Sequence, residues 1–190
     1  MQLLKVVTPP DWAEFALRDF DAFLLDHASC ERKASAVGMS LVTGYPERSY
    51  LVEAMIQFSR EELEHFHQVY HLIAERGLTL GRDQADAYVS QLQKQVRSGA
   101  EERFLDRLLV SALIEARSAE RITLIAEKLT DLKLRHFYRR LERAEAHHYA
   151  LFVEIAKRYF PAEVVAARLE KLSEAEAVAI TSVPYRHAMH

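Results

Sequence analysis

The feature that most limits what this chain can fold into is a pair of Glu-x-x-His motifs, each set inside an apolar helical stripe. On a helix, positions joined by alternating steps of three and four share one face. Met55, Phe58, Glu62, His65, Val69 and Leu72 form one such stripe, and Leu134, Tyr138, Leu141, Glu145, His148, Phe152 and Ile155 form another. In both, a glutamate and a histidine interrupt a face that is otherwise apolar. Neighbours of the same residue types fail the test. Glu64, His67 and His71 share a stripe with Glu53, Gln57 and Arg60 and are expected on the outer face, and His147 falls with Arg140 and Arg143. Two further stripes carry one glutamate each: Glu31 among Phe20, Leu24, His27, Ala34 and Leu41, and Glu115 among Leu108, Ala112, Ala119, Ile122 and Leu129. Glu31 precedes Glu62 by 31 residues and Glu115 precedes Glu145 by 30, so the chain reads as two helical hairpins of matched design.

Composition agrees with long helices. Hydrophobic residues make up 49% of the chain while Gly and Pro number five each, too few turn residues for a many-stranded sheet protein. At 190 residues the chain suits a single domain, burying about 70% of its unfolded surface. The predicted fold is an all-α four-helix bundle with a crossover helix and extra C-terminal helices. Thr8 is expected to cap a first helix over residues 9–38, and a second should start near Pro46 and stop at Gly77. A polar connector helix is expected over residues 81–99, a third long helix over 101–129 and a fourth from Thr130-Asp131 to Phe160. Pro161 should open two short helices, the second capped by Ser173 and Glu176. Neither a secretory signal nor an apolar run of about 18 residues is present, so a cytoplasmic protein without a membrane partner is expected.

Cys30 is the only cysteine, which excludes intramolecular disulfides and Cys-x-x-Cys metal sites. Any metal must sit on carboxylates and imidazoles. Four inward carboxylates without counter-charge would each cost several kcal/mol and repel one another. Two divalent ions would balance them, and hard carboxylates with imidazoles suit iron or manganese. The set Glu31, Glu62, His65, Glu115, Glu145 and His148 is the di-iron carboxylate arrangement expected in a bundle core. His27, one turn before Glu31, and Glu61, beside Glu62, are expected to support ligands, while Cys30 and Tyr138 read as packed core residues. Lys128, Lys133, Arg135, Arg139, Arg140 and Arg143 crowd a stretch of sixteen residues and mostly fall off the metal stripe. By default they form a solvated face, but such a strip can also hold phosphates. The net charge of -3 argues only weakly against a nucleic-acid partner.

The blocks "HASCERKAS", "SREELEHFHQVY", "LLVSALIEARSAER" and "LERAEAHHYALF", with the spacing between them, resemble the bacterial tRNA methylthio-isopentenyl-adenosine hydroxylases over almost the whole chain. The resemblance implies a ferritin-like, non-haem di-iron monooxygenase that hydroxylates the isopentenyl side chain of the modified adenosine beside the tRNA anticodon. It implies two iron ions, O2 as co-substrate, and two electrons from an external donor such as a ferredoxin or flavin reductase. By motif match the ligands are the same six residues. Several larger di-iron hydroxylases carry a threonine one turn after the helix-three glutamate, where this chain has Ala119; Ser118 is the neighbouring hydroxyl, and proton delivery to bound oxygen is left unassigned. Arg139, Arg140 and Arg143 are the expected tRNA phosphate contacts. The ligand pattern alone leaves an iron storage or ferroxidase protein, a manganese catalase and a non-catalytic helical adaptor as alternatives.

Overall fold

Asp19 breaks what the apolar periodicity reads as one helix. The computed structural model describes residues 3–190. In it α1 (Asp11–Ala16) is followed by a 3-10 turn (Leu17–Asp19) before α2 (Phe20–Gly44) begins. The Asp19 carboxylate accepts the Ala22 N–H at 3.0 Å and so caps α2, an alternative that aspartate offers the backbone and that ends the preceding turn. Thr8 does not cap α1. Its backbone N–H and hydroxyl both donate to the Glu120 carboxylate, at 3.1 and 2.5 Å.

The other helices are α3 (Ser49–Glu75), α4 (Ala87–Gln93), α5 (Ala100–Lys128), α6 (Leu132–Tyr159) and α7 (Ala162–Ser182), with no strand among the described residues. The chain forms two compact units, one of residues 15–84 and 186–189, the other of residues 3–14, 85–185 and 190.

In the first unit α2 and α3 make an antiparallel hairpin. Arg76 meets Asp21 at one end, and Ser35 Oγ donates to the Ser59 carbonyl at 2.8 Å further along. The sequence reading stops the first helix at Gly38, but α2 runs on to Gly44 because Gly38 is a point of close approach. A Cβ there would collide with Ser59 Oγ and lie 2.9 Å from Phe58 Cδ1 and 3.2 Å from the Met55 carbonyl. Gly77 does stop α3. It takes a positive φ of 70° while its N–H bonds the Ala74 carbonyl and that of Leu78 bonds Ile73, both orphan-carbonyl contacts of a left-handed helix end.

In the second unit α5 and α6 form the matching antiparallel hairpin. Phe104 packs on Tyr159 near one end, and Arg139 reaches Glu127 at the other. Asp131 caps α6 by accepting the Leu134 N–H at 2.9 Å. Two expectations change here. The connector is helical only over α4, because Asp86 caps it at Val89 and residues 81–86 lie outside any helix. The two predicted C-terminal helices are one, α7, which runs through Ser173 without a break. Glu176 does not close a capping box, for its carboxylate is buried and accepts Arg117 Nε at 2.9 Å, Arg117 Nη2 at 3.0 Å and the Tyr88 hydroxyl at 3.1 Å. A paired guanidinium in the interior is worth more to that carboxylate than a backbone cap on a surface helix.

Candidate metal centre

Each hairpin brings one buried glutamate from its first helix to a Glu-x-x-His pair from its second, all buried but His65, which is partly exposed. In the α2/α3 hairpin Glu31 and Glu62 are 4% and 1% exposed, and one ligand atom from each of Glu31, Glu62 and His65 lies within 4.8 Å of the other two. His65 Nδ1 is 3.6 Å from Glu31 Oε2. In the α5/α6 hairpin Glu115, Glu145 and His148 are all buried, again with one ligand atom apiece inside 4.8 Å of the others, and His148 Nδ1 is 3.9 Å from Glu145 Oε2. The local cause is helical phase. The i,i+3 spacing stacks the pair on one face, and Met55, Phe58 and Val69 in α3, or Tyr138, Leu141 and Phe152 in α6, bury that face.

His27 supports the first triad directly. It is fully buried, and its Nε2 is 2.6 Å from Glu31 Oε1. Burial pushes the Glu31 carboxyl up, but the hydrogen bond and charge of His27, with further hydrogen bonds from His65 and Glu62, more than offset it. The result is a carboxyl held well below its usual range. An imidazole braced against a carboxylate in this way fixes the carboxylate's orientation.

The remaining predicted residues are placed as follows. Glu61 is exposed on the outer side of α3. With Glu64, His67 and the partly exposed His65 it lines an open groove of about 960 Å³, so His65 is the part of the first triad that solvent reaches. Ser118 is buried on α5, 3.3 Å from His190 Nε2. Arg140 and Arg143 are exposed on α6, whereas Arg139 is engaged by Glu142 at 2.9 Å and Glu127 at 3.7 Å.

Two features escaped the sequence reading. Arg117, Arg121 and Asp106 on α5 are buried charges, and nothing in periodicity alone tells a buried arginine from a surface one. The α2/α3 unit also holds a cavity of about 330 Å³, lined by Asp26, Ser29 and Arg32 from α2, by Arg82 and Asp83, and by Arg186. It exists because the 80–84 segment and residues 186–187 fold back on α2, contacts between distant stretches that leave no local signal.

The donor set fits metal ions. Each triad offers two carboxylates and an imidazole at mutual distances one ion could span, on a buried face where unneutralised carboxylates are costly. Matched helical hairpins with such triads place the chain in the ferritin-like class of helical proteins. Over its whole length the fold matches "Protein 43 with aldehyde deformylating oxygenase activity from Synechococcus", with a TM-score of 0.95, 38% identity, and coverage of 100% of this chain and 96% of that one. The family model described as "tRNA-(MS[2]IO[6]A)-hydroxylase (MiaE)" matches residues 1–190, and the chain belongs to that family. Two relatives carry the name tRNA 2-(methylsulfanyl)-N(6)-isopentenyladenosine(37) hydroxylase. The one from Pseudomonas putida is 37% identical over 92% of this chain and 85% of its own length. The one from Salmonella typhimurium is 34% identical over 78% of this chain and 54% of its own length.

Proposed function

We propose that the protein is an O2-dependent di-iron monooxygenase that hydroxylates the isopentenyl side chain of 2-methylthio-isopentenyl-adenosine beside the tRNA anticodon. The observation that carries this reading is the pair of buried triads, Glu31, Glu62 and His65 with Glu115, Glu145 and His148, in a chain that matches the hydroxylase family end to end. In this reading the two triads hold iron, two ions per chain. Bound iron would supply the reduction of O2, chemistry that side chains cannot perform alone.

The protein's own residues do the rest. His27 holds Glu31 in one orientation and keeps it ionised as a ligand. The apolar residues around the triads suit a prenyl tail, and an anticodon loop can splay a nucleotide outward to reach such a site. The net reaction inserts one oxygen atom into a C–H bond. The second atom leaves as water, using two protons and two electrons from an external donor such as a ferredoxin or flavin reductase. No described helix is long and apolar enough to cross a membrane, and the reading places the enzyme in the cytoplasm with its tRNA. Arg140 and Arg143 are the exposed phosphate contacts. Arg139, which pairs with Glu127 and Glu142, is the third contact.

The test is nucleoside analysis of tRNA bearing the prenylated base after incubation with iron-loaded protein, reductant and O2. The expected result is a hydroxylated nucleoside. Protein carrying two irons per chain that yields none would sink the tRNA reading. Because a solved structure 38% identical to this chain is described by an aldehyde deformylating activity, an aldehyde given to the same iron-loaded protein with reductant and O2 is the alternative substrate, read by its consumption.

A further inference from the structure

The outward face of α3 holds a set of residues that the buried triads do not use. His67 and His71, one helical turn apart and both exposed, bring their Nε2 atoms to 2.9 Å with ring centroids 4.4 Å apart. Glu64 lies one turn before them, its Oε2 4.0 Å from His67 Nδ1 and its Oε1 accepting Gln68 Nε2 at 3.0 Å. We propose that His67 and His71 form a second metal site, a two-imidazole chelate for a late first-row divalent ion, independent of whatever the buried triads hold.

The geometry decides which ions it suits. Metal–imidazole bonds are about 2.0–2.1 Å, so two nitrogens at right angles on one ion lie about 2.9 Å apart, and two at a tetrahedral angle about 3.4 Å apart. The observed 2.9 Å separation matches neighbouring positions of a square-planar or octahedral ion, with solvent completing the shell. That geometry and the two nitrogen donors favour Cu2+ and Ni2+ over Zn2+, and both over the iron or manganese that carboxylate-rich sites suit. As the structure stands, one ring's Nε2–H donates to the other. Binding an ion requires that ring to carry its proton on Nδ1 instead. For His67 the Glu64 carboxylate lies on that side, with Oε2 4.0 Å from Nδ1, so its negative charge favours a proton there.

A chelate and two lone imidazoles behave differently when one arm is removed. Losing either histidine of a chelate forfeits the effective concentration supplied by the other, at least about tenfold in affinity. The experiment titrates untagged, iron-loaded protein with Ni2+ and with Cu2+ by calorimetry, for wild type, His67→Ala, His71→Ala and the double variant. Iron content and circular dichroism report that the fold and the buried site are intact. The expected result is one site per chain in wild type, each single variant falling by about tenfold or more to the level of the double variant, and unchanged iron content throughout. Wild type binding no better than the double variant would overturn the proposal. So would single variants that each keep half of a set of equivalent weak sites, since that is the behaviour of independent histidines.

Discussion

Arg117 is the residue on which the second unit's interior turns. Its guanidinium is fully buried. It forks onto both oxygens of Glu176, donates to Thr8 Oγ at 3.0 Å and the Val6 carbonyl at 2.9 Å, and also pairs with Glu120. Every donor has a place, so the pair ties α5, α7 and the N-terminal segment together. Removing one partner leaves the other charged, buried and uncompensated. Arg117→Met is therefore expected to destabilise the protein by about 3–5 kcal/mol, read as a fall in thermal midpoint of roughly 10 °C. The double change Arg117→Met with Glu176→Leu should recover much of that loss, and a double variant as unstable as the single one would show that the network is not the source. The same scale explains what the sequence hides. Helical phase places Arg117 next to Ala116 and Ser118 without saying that the far side of α5 is covered as well, and on that side Arg121 stacks over Trp12 at 4.5 Å.

At the scale of elements, the α2/α3 contact is set by one missing methyl group. A Gly→Ala change in a helix interior normally stabilises by about 1 kcal/mol, because alanine is the better helix former. At Gly38 the sign reverses. A Cβ would strike Ser59 Oγ and crowd the Phe58 ring and the Met55 backbone, and overpacking of this kind costs about 1–3 kcal/mol. Gly38→Ala should thus lower the denaturant midpoint with little change in slope, and an increase would show that α3 can simply move away. The hairpin was legible in the sequence and this contact was not. A glycine late in an apolar stripe reads as a helix stop, and only the partner helix reveals it as a point of approach. Asp19 is the reverse case, a side chain able to cap a helix that the strong periodicity around it concealed.

At the scale of the whole molecule, the proposed ligands run from residue 31 to residue 148, one triad in each hairpin. Anything that binds the folded chain and not the unfolded one stabilises it by mass action, by about 2.7 kcal/mol at a hundredfold excess over the dissociation constant. Anaerobic Fe(II) is therefore expected to raise the thermal midpoint of metal-free protein by roughly 5–10 °C, saturating at about two ions per chain. Glu62→Ala and Glu145→Ala should each abolish that rise. A rise that persists in both variants would place the metal elsewhere.

The phase of the four long helices was legible from the sequence alone, and with it the inward placement of Glu62 and His65 and the outward placement of Glu64, His67 and His71, because burial follows a 3.6-residue period that the residues themselves display. The sequence also determined the family, through blocks of wording that no periodicity argument could supply. Contacts between stretches far apart in the chain left no such signal. They include Gly38 against Ser59 and Glu176 turned inward to Arg117, which leaves α7 running unbroken through Ser173. Capping and helix-stop rules weigh a residue against its nearest neighbours. The side chain answers to whichever partner the fold brings up, and a buried charge-assisted hydrogen bond outweighs a surface cap.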